Sequence, residues 1–223
     1  MRFGVTMDDT RELTRRVAEA AMRLAAERGW RRTGPVEVAK AAGVPLAAVY
    51  RHFPDRADLL GAVSTVADEA VLADGDADGA GAGINEMAGE TARDRLFDVM
   101  MRRFDALLPF RDGLAVAVRD LRREPFTALA FARRYRRSMA WMLRAARIEA
   151  DSPAGALRAA ALGALHARVF RVWLTDDTAD LARTMAALDG ELRKAESWAN
   201  SLCRRSSGGT TAGGAEPIDA PAV

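Results

Sequence analysis

The chain of 223 residues is about half apolar, which is enough for a sizeable core, and its single cysteine excludes an internal disulfide framework and fits a reducing cytoplasm. No apolar run is long enough for a stable membrane insertion, and the N-terminus lacks the apolar core of a secretion signal. Residues 1–56 carry 11 basic and 7 acidic side chains, whereas residues 57–92 carry no basic and 8 acidic ones. The basic N-terminal segment suits contact with nucleic-acid phosphates.

The N-terminal region predicts a long helix followed by two short ones. Residues 10–28 have apolar side chains at helical spacing along one stripe, which Gly29 ends. Residues 35–53 then predict two helices joined at Gly43, because glycine enters the left-handed conformation that ends a helix without a steric penalty. Pro45 fits the first turn of the second helix, where its missing N–H is not needed. This order indicates a helix-turn-helix, which places its second helix in the DNA major groove.

This spaced pattern resembles the N-terminal domain of the TetR family of bacterial regulators. The resemblance implies a helix-turn-helix DNA-binding head with a connecting helix over residues 8–73, and a double-stranded DNA operator as partner. It is more specific than a helix-turn-helix pattern alone, because the matching positions also include the preceding helix and the start of the next one. The matching residues are Ala20, Ala21, Leu24, Gly29, Thr33, Val38, Ala39, Ala42, Gly43, Val44, Val49, Tyr50, His52, Phe53, Asp58, Leu59 and Leu60.

The second short helix departs from the family pattern at its start. Where the family usually has small polar residues, this chain has Pro45, Ala47 and Ala48. Arg51 is expected to read a base, because arginine is the commonest reader of guanine, whereas tyrosine and histidine suit phosphate oxygens. The predicted DNA-contacting residues are Thr33, Pro45, Leu46, Ala47, Ala48, Tyr50, Arg51 and His52.

Helical patterns also dominate the rest of the chain, and no alternating strand pattern occurs. Residues 74–91 are rich in Gly and Asp and predict a flexible linker. Residues 92–203 predict a helical ligand-binding and dimerisation domain, and residues 204–223 a disordered tail. The predicted fold class is therefore all-α and TetR-like, with a three-helix N-terminal head and a C-terminal helical body. Beyond the head, helices are predicted over residues 57–73, 93–108, 110–121, 125–150, 153–174 and 178–202.

The last two predicted helices favour a homodimer. The helix over residues 178–202 carries apolar residues at a spacing typical of a helix–helix seam, and two helices from each chain would form a four-helix bundle. The alternative is that both apolar stripes face the core of a single chain. The predicted interface residues are Leu165, Leu181, Met185, Leu188 and Leu192.

The body carries a second resemblance, to the lipid-binding accessory proteins of coenzyme Q biosynthesis, in residues 96–107, 138–143, 172–177 and 185–189. That resemblance implies a cavity for an apolar ligand such as a quinone or another lipid. Bulky, adaptable Met and aromatic side chains on several helices suit such a cavity, although the same stripe also suits an ordinary core. The predicted ligand-binding residues are Met101, Phe104, Met142, His166, Phe170 and Trp173.

Residue patterns for other chemistry are missing from the sequence. The two histidines lie far apart without nearby ligands at metal spacing, and no phosphate loop or nucleophile pattern occurs. We therefore expect no metal, no cofactor and no catalytic residues. Two functions stay open: a cytoplasmic one-component transcriptional regulator controlled by a small apolar ligand, or a lipid-binding accessory protein of ubiquinone biosynthesis that keeps the fold without binding DNA.

Overall fold

The computed structural model describes residues 7–79 and 91–207, and within these ranges the chain is helical without any strand. The predicted all-α class is confirmed. Short 3-10 turns over Trp30–Arg32 and Leu108–Phe110 join two pairs of successive helices. The helices are α1 (Met7–Arg28), α2 (Pro35–Ala42), α3 (Leu46–His52), α4 (Arg56–Gly79), α5 (Ala92–Leu107), α6 (Arg111–Leu121), α7 (Pro125–Ala145), α8 (Pro153–Trp173) and α9 (Ala182–Ser207).

Two predicted boundaries need correction. Helix α4 continues to Gly79, so the start of the predicted linker over residues 74–91 is helical, because a helix that has already formed gains one hydrogen bond for each added residue. Residues 80–90 of that linker lie outside the described residues. Helix α9 likewise continues to Ser207, and the predicted tail beyond it also lies outside the described residues.

The head and the body share one continuous core. Helix α1 packs against α4 and α6, and α4 also packs against α5 and α7. The approach of α6 to α1 is close: a Cβ atom on Gly113 would lie 2.3 Å from the carbonyl oxygen of Met22. A glycine is therefore required where the body crosses beneath the head.

Two ion pairs also connect the head with the body. Nη1 of Arg56, at the start of α4, lies 2.9 Å from Oε1 of Glu124, just before α7. Asp58, two residues further along α4, pairs with Arg134 of α7. Burial raises the pKa of the Asp58 carboxyl, and the neighbouring Asp55 raises it further, while Arg134 opposes this. In both ion pairs, the residue of α4 lies within a few residues of the helix-turn-helix.

Candidate DNA-binding head and buried ring cluster

The turn between α2 and α3 has the geometry that its sequence predicts. Gly43 ends α2 in the left-handed conformation, with φ 62° and ψ 35°. The N–H of Val44 donates back to the carbonyl oxygen of Ala39 at 3.1 Å. This pattern satisfies carbonyls that the end of a helix would otherwise leave unpaired and fixes the direction in which α3 departs.

Two arginines of α1 donate hydrogen bonds to carbonyl groups of the same turn. The Arg16 guanidinium donates to the carbonyl oxygens of Ala42 at 2.5 Å and Gly43 at 3.1 Å. Arg23 donates to the carbonyl oxygen of Ala41 at 3.2 Å. Cations are favourable at a helix C-terminus, where the carbonyl dipoles point outward. The orientation of α3 is thus set by α1 as well as by the glycine turn.

Helix α3 has a buried side and an exposed side. Val49 is fully buried, and Phe53, one turn later, is nearly so. Tyr50 is 75% exposed, and Arg51 and His52 are also exposed. The same surface is completed by the exposed Pro45, Leu46 and Ala47 and the half-buried Ala48. Seven of the eight predicted DNA-contacting residues are therefore exposed or half-buried in and just before α3.

The eighth residue, Thr33, needs correction. Its side chain is fully buried, and its hydroxyl donates to the carbonyl oxygen of Gly29 at 3.1 Å. Its N–H donates to the carbonyl oxygen of Trp30 at 2.9 Å. Because both donors are used inside the head, the side chain of Thr33 closes the 3-10 turn before α2 and is not available to a phosphate.

Four of the six predicted ligand-binding residues form a cluster of contacting rings in the body, which we call the ring cluster: Phe104 of α5 and His166, Phe170 and Trp173 of α8. The rings of Phe104 and His166 are stacked, with centroids 4.8 Å apart and planes at 4°. Trp173 lies 5.8 Å from Phe104 and 5.1 Å from Phe170. His166, Phe170 and Trp173 are spaced four and then three residues apart, so they lie on one face of α8.

The ring cluster contains polar atoms without a partner. The Tyr135 hydroxyl and Nδ1 of His166 are hydrogen-bonded, but His166 Nε2 and Trp173 Nε1 are buried and have no hydrogen-bond partner among the residues that the structure describes. Burial lowers the pKa of His166 well below its ordinary value, and the Arg103 guanidinium lowers it further, so the imidazole is neutral. An unsatisfied buried donor or acceptor costs about 1–3 kcal/mol, so a bound molecule that satisfied these atoms would be favoured.

A charged network lies beside the ring cluster, and sequence reasoning missed it. The Arg103 guanidinium is almost fully buried, pairs with Asp68 of α4 and donates to Oγ of Ser64 at 2.9 Å. Ser138 of α7 donates to the same Asp68 carboxylate at 2.8 Å. Burial lowers the pKa of Arg103 to about 10, so it stays charged at neutral pH. Helical spacing in the sequence could have revealed the buried arginine, because Arg103 lies four residues before Leu107 on the apolar face of α5.

The two remaining predicted ligand-binding residues lie close to this core. Met142 is fully buried, and the half-buried Met101 packs against the core. Two clefts among the described residues, of about 400 and 380 Å³, are lined by other residues. A ligand at the ring cluster would therefore have to displace core side chains rather than enter either cleft.

The predicted dimer interface needs a larger correction. Leu165, Leu181, Leu188 and Leu192 are buried within the single chain, and Met185 is half-buried. A leucine that already packs inside the protomer cannot also be exposed to a partner chain. The alternative that the stripe of α9 faces the core of its own chain is the one that the structure supports.

Arg111, at the start of α6, connects the ring cluster with the helix beneath the head. Its guanidinium carbon lies 5.1 Å from the Trp173 ring centroid, and the group donates to the carbonyl oxygens of Trp173 and Asp176. Cation–π contacts and charge-assisted hydrogen bonds are strong when partly desolvated. The end of α8 is therefore fixed to the start of α6.

The part of the chain that the structure describes contains neither a membrane-spanning helix nor a cluster of metal ligands. No helix there is both long and apolar enough to cross a membrane. No group of three or more His, Cys, Asp or Glu side chains in the same part of the chain could hold a metal ion.

Comparisons with known proteins agree with this architecture. Residues 17–63 match the family model described as bacterial regulatory proteins, tetR family. Among solved structures, the TetR transcriptional regulator from Nitrosomonas europaea ATCC 19718 is similar: it is 18% identical with a TM-score of 0.61, over 82% of this chain and 98% of that chain. The matched residues thus form a TetR-family helix-turn-helix head, and the chain has the fold of a TetR regulator.

Two further solved structures are less similar in fold. A TetR transcriptional regulator from Rhodococcus sp. RHA1 is 25% identical with a TM-score of 0.45, over 84% of this chain and 97% of that chain. NalD, the secondary repressor of the MexAB-OprM multidrug efflux pump in Pseudomonas aeruginosa, is 20% identical with a TM-score of 0.42, over 83% and 96%. Comparison with curated protein sequences gives no match. These findings do not support the second resemblance, to the lipid-binding proteins of coenzyme Q biosynthesis.

Proposed function

We propose that this chain, a regulator of the TetR type, is a one-component DNA-binding repressor that acts as a homodimer in the bacterial cytoplasm and is controlled by a small apolar ligand. The observation that carries the proposal is the exposed side of α3, where Tyr50, Arg51 and His52 project from a helix whose other side is buried. The TetR-family match of residues 17–63 supports the same conclusion.

The polar residues of α3 have two proposed roles, base reading and phosphate contact. Arg51 presents a planar guanidinium that suits the two acceptors of guanine in the major groove. Tyr50 and His52 flank it and suit phosphate oxygens. The alanines at the start of the helix add apolar contact, for example with a thymine methyl group, but no hydrogen bond.

Fluorescence anisotropy with duplex fragments from the chain's own promoter region tests DNA binding. We expect affinity that falls steeply with salt, because each phosphate contact releases counterions. Replacing Arg51 by Ala should relax preference at one base pair by about 1–3 kcal/mol, whereas Tyr50→Phe should weaken all fragments about equally. Arg193→Ala in α9 is the matched control, since Arg193 is exposed and pairs with Asp189. A folded protein that binds no fragment even at low salt would refute the repressor proposal.

The ring cluster is the proposed ligand sensor. Its neutral imidazole and unpaired indole N–H would be satisfied by an apolar molecule that carries a carbonyl or hydroxyl group. Arg111 fixes Trp173 to the start of α6, and α6 passes beneath α1 of the head. A ligand that moves Trp173 would therefore move α6, and operator and ligand would weaken each other's binding reciprocally.

Native mass spectrometry of protein purified from its own cells tests the sensor, together with the shift in melting temperature that added apolar carbonyl compounds cause. We expect a co-purifying apolar molecule or a positive shift that His166→Phe diminishes, because this change keeps an aromatic ring and removes both nitrogens. Leu129→Ala, at an exposed position of α7, is the control. If no molecule co-purifies and no compound shifts the melting temperature, the ring cluster is part of the hydrophobic core and not a ligand site.

The proposed dimer interface is the outer face of α8 and α9. Nε of Arg168 lies 2.5 Å from Oε2 of Glu191, which sets the antiparallel register of the two helices. Two turns from this pair, the same register places Ala161 opposite Trp198. Trp198 is 75% exposed and Leu157, one turn before Ala161, is 72% exposed, so an apolar patch stays uncovered in the single chain.

Sedimentation equilibrium tests this interface. Leu157→Asp should yield folded monomers, because a charge would be buried without a partner in the dimer but stays exposed in the monomer. Leu129→Asp, at another exposed leucine, is the control and should remain dimeric. A dimer that persists in Leu157→Asp would place the interface elsewhere.

A further inference from the structure

A cleft of about 380 Å³ lies where the head meets the body, apart from the ring cluster. His52 and Phe53, at the end of the recognition helix, form part of its lining. Residues of α4 such as Thr65 and residues of α7 such as Arg137 and Trp141 form the rest. The volume falls in the range of pockets that bind small molecules.

The carboxylates of this cleft already have partners. Asp58 pairs with Arg134, and Asp68 is paired with Arg103. Glu69, also in the lining, has its Oε2 3.7 Å from Nε of Arg11. The negative charge on this side of α4 is therefore largely compensated.

Arg137 differs from these groups. In the part of the chain that the structure describes, it makes no ion pair and no hydrogen bond, and its side chain is exposed. It belongs to a run of four arginines around Tyr135, in which Arg134 is used by Asp58. A free guanidinium in a concave site presents a planar fork that suits a carboxylate.

Trp141 adds an aromatic surface to the same wall. It lies four residues after Arg137, so both side chains share one face of α7. The residue is 46% exposed, and the guanidinium carbon of Arg144 lies 4.8 Å from the centroid of its ring. An indole held in this way is a ready stacking surface for a second planar ring.

We propose that this cleft is a second effector site, which binds a planar aromatic carboxylate. The carboxylate pairs with Arg137 and the ring stacks on Trp141. Because the cleft is also lined by His52, the bound molecule touches the recognition helix and the body at once. It thereby fixes the head relative to α7, a control separate from the ligand of the ring cluster.

Isothermal titration with 2-naphthoate, in the absence of DNA, tests the proposal. We expect saturable binding of one molecule per chain, which is weakened about tenfold in Arg137→Gln because one charge-assisted contact is lost. Arg136→Gln, a neighbour in the same run that does not line the cleft, should bind like the wild type. Trp141→Leu should also weaken binding, and the neutral 2-naphthamide should bind poorly to the wild type.

The outcomes separate this site from the proposed repressor function. No saturable binding to the wild type, or equal affinities for the Arg137 and Arg136 variants, would overturn the second site whatever the protein does with DNA. Binding that survives Arg137→Gln but is lost in His166→Phe would place the probe in the ring cluster and overturn it as well. Circular dichroism checks that each variant is folded, which we expect because Arg137 is exposed and Trp141 half-exposed.

Discussion

Replacing Gly113 by Ala tests how tightly the body holds the head. Gly113 lies in the first turn of α6, directly against the backbone of α1. The added methyl group would lie 2.3 Å from the carbonyl oxygen of Met22 and 2.7 Å from its Cα atom. Ordinary van der Waals contact begins at 3.4 Å, and the obstructing atoms are backbone, so a side-chain rotation cannot relieve the clash.

The expected cost follows from these distances. The two helices must separate by roughly 1 Å, and overpacking of this kind typically costs about 1–3 kcal/mol. Alanine in place of glycine gains up to about 1 kcal/mol of helix stability, which partly conceals the clash. Gly190→Ala in α9 isolates the clash, because a Cβ atom there meets no other atom within 4 Å. The free energies of unfolding of the two variants should therefore differ by about 1–3 kcal/mol.

Urea unfolding followed by the far-ultraviolet circular dichroism of the helices measures this difference. All variants are compared at one protein concentration, because dimerisation makes the apparent stability depend on it. We expect Gly190→Ala to be at least as stable as the wild type and Gly113→Ala to be the less stable variant of the two. Equal free energies of unfolding would mean that α6 and α1 can separate without an energetic cost. That result would refute the close backbone packing of the head on the body.

Two further predictions concern the last two helices. Asp176 is buried in the segment before α9. Burial alone would raise the pKa of its carboxyl, but hydrogen bonds from Thr178 and Thr184 together lower that pKa. The stabilisation that Asp176 provides is therefore present above the unfolded pKa near 3.8 and is lost as the pH falls below that value. Asp176→Asn should therefore be destabilised at neutral pH, and urea unfolding should show the gap to the wild type closing in acid; a gap independent of pH would contradict this. Leu188→Ala should lower the free energy of unfolding by about 2–5 kcal/mol at any protein concentration, whereas Leu129→Ala at an exposed position should change it little. A loss at Leu188 that disappears at high protein concentration would mean that this leucine faces a partner after all.

The head was predictable because its signals are local. Gly43 has to end α2 in a left-handed conformation, and this requirement is visible in the sequence without knowledge of the rest of the fold. Val49 and Phe53, four residues apart, show which side of α3 is buried. Thr33 was misplaced because a threonine before a helix can cap a turn or contact a phosphate, and only the position of Gly29 decides between them.

The leucines of α9 show what periodicity cannot decide. Leu181, Leu188 and Leu192 define a buried stripe correctly, but the pattern is the same whether the stripe packs on its own chain or on a partner. The charged pair of Arg103 and Asp68 was missed for a related reason. The two residues are far apart in the chain, and only the packing of α5 against α4 brings them together.

The joint between the head and the body combines contacts of two kinds, and they respond differently to a shift of α6. The ion pairs of Arg56 with Glu124 and of Asp58 with Arg134 involve long side chains, which can follow a small displacement by changing rotamers. The contact of Gly113 with Met22 is between helix backbones and has no such freedom. Because packed backbones transmit strain instead of absorbing it, a displacement of α6 should carry α1 with it while the ion pairs adjust. Since α1 also holds the turn before α3 through Arg16, movement that starts at α6 would reach the recognition helix as a change in its position rather than as a loss of its structure.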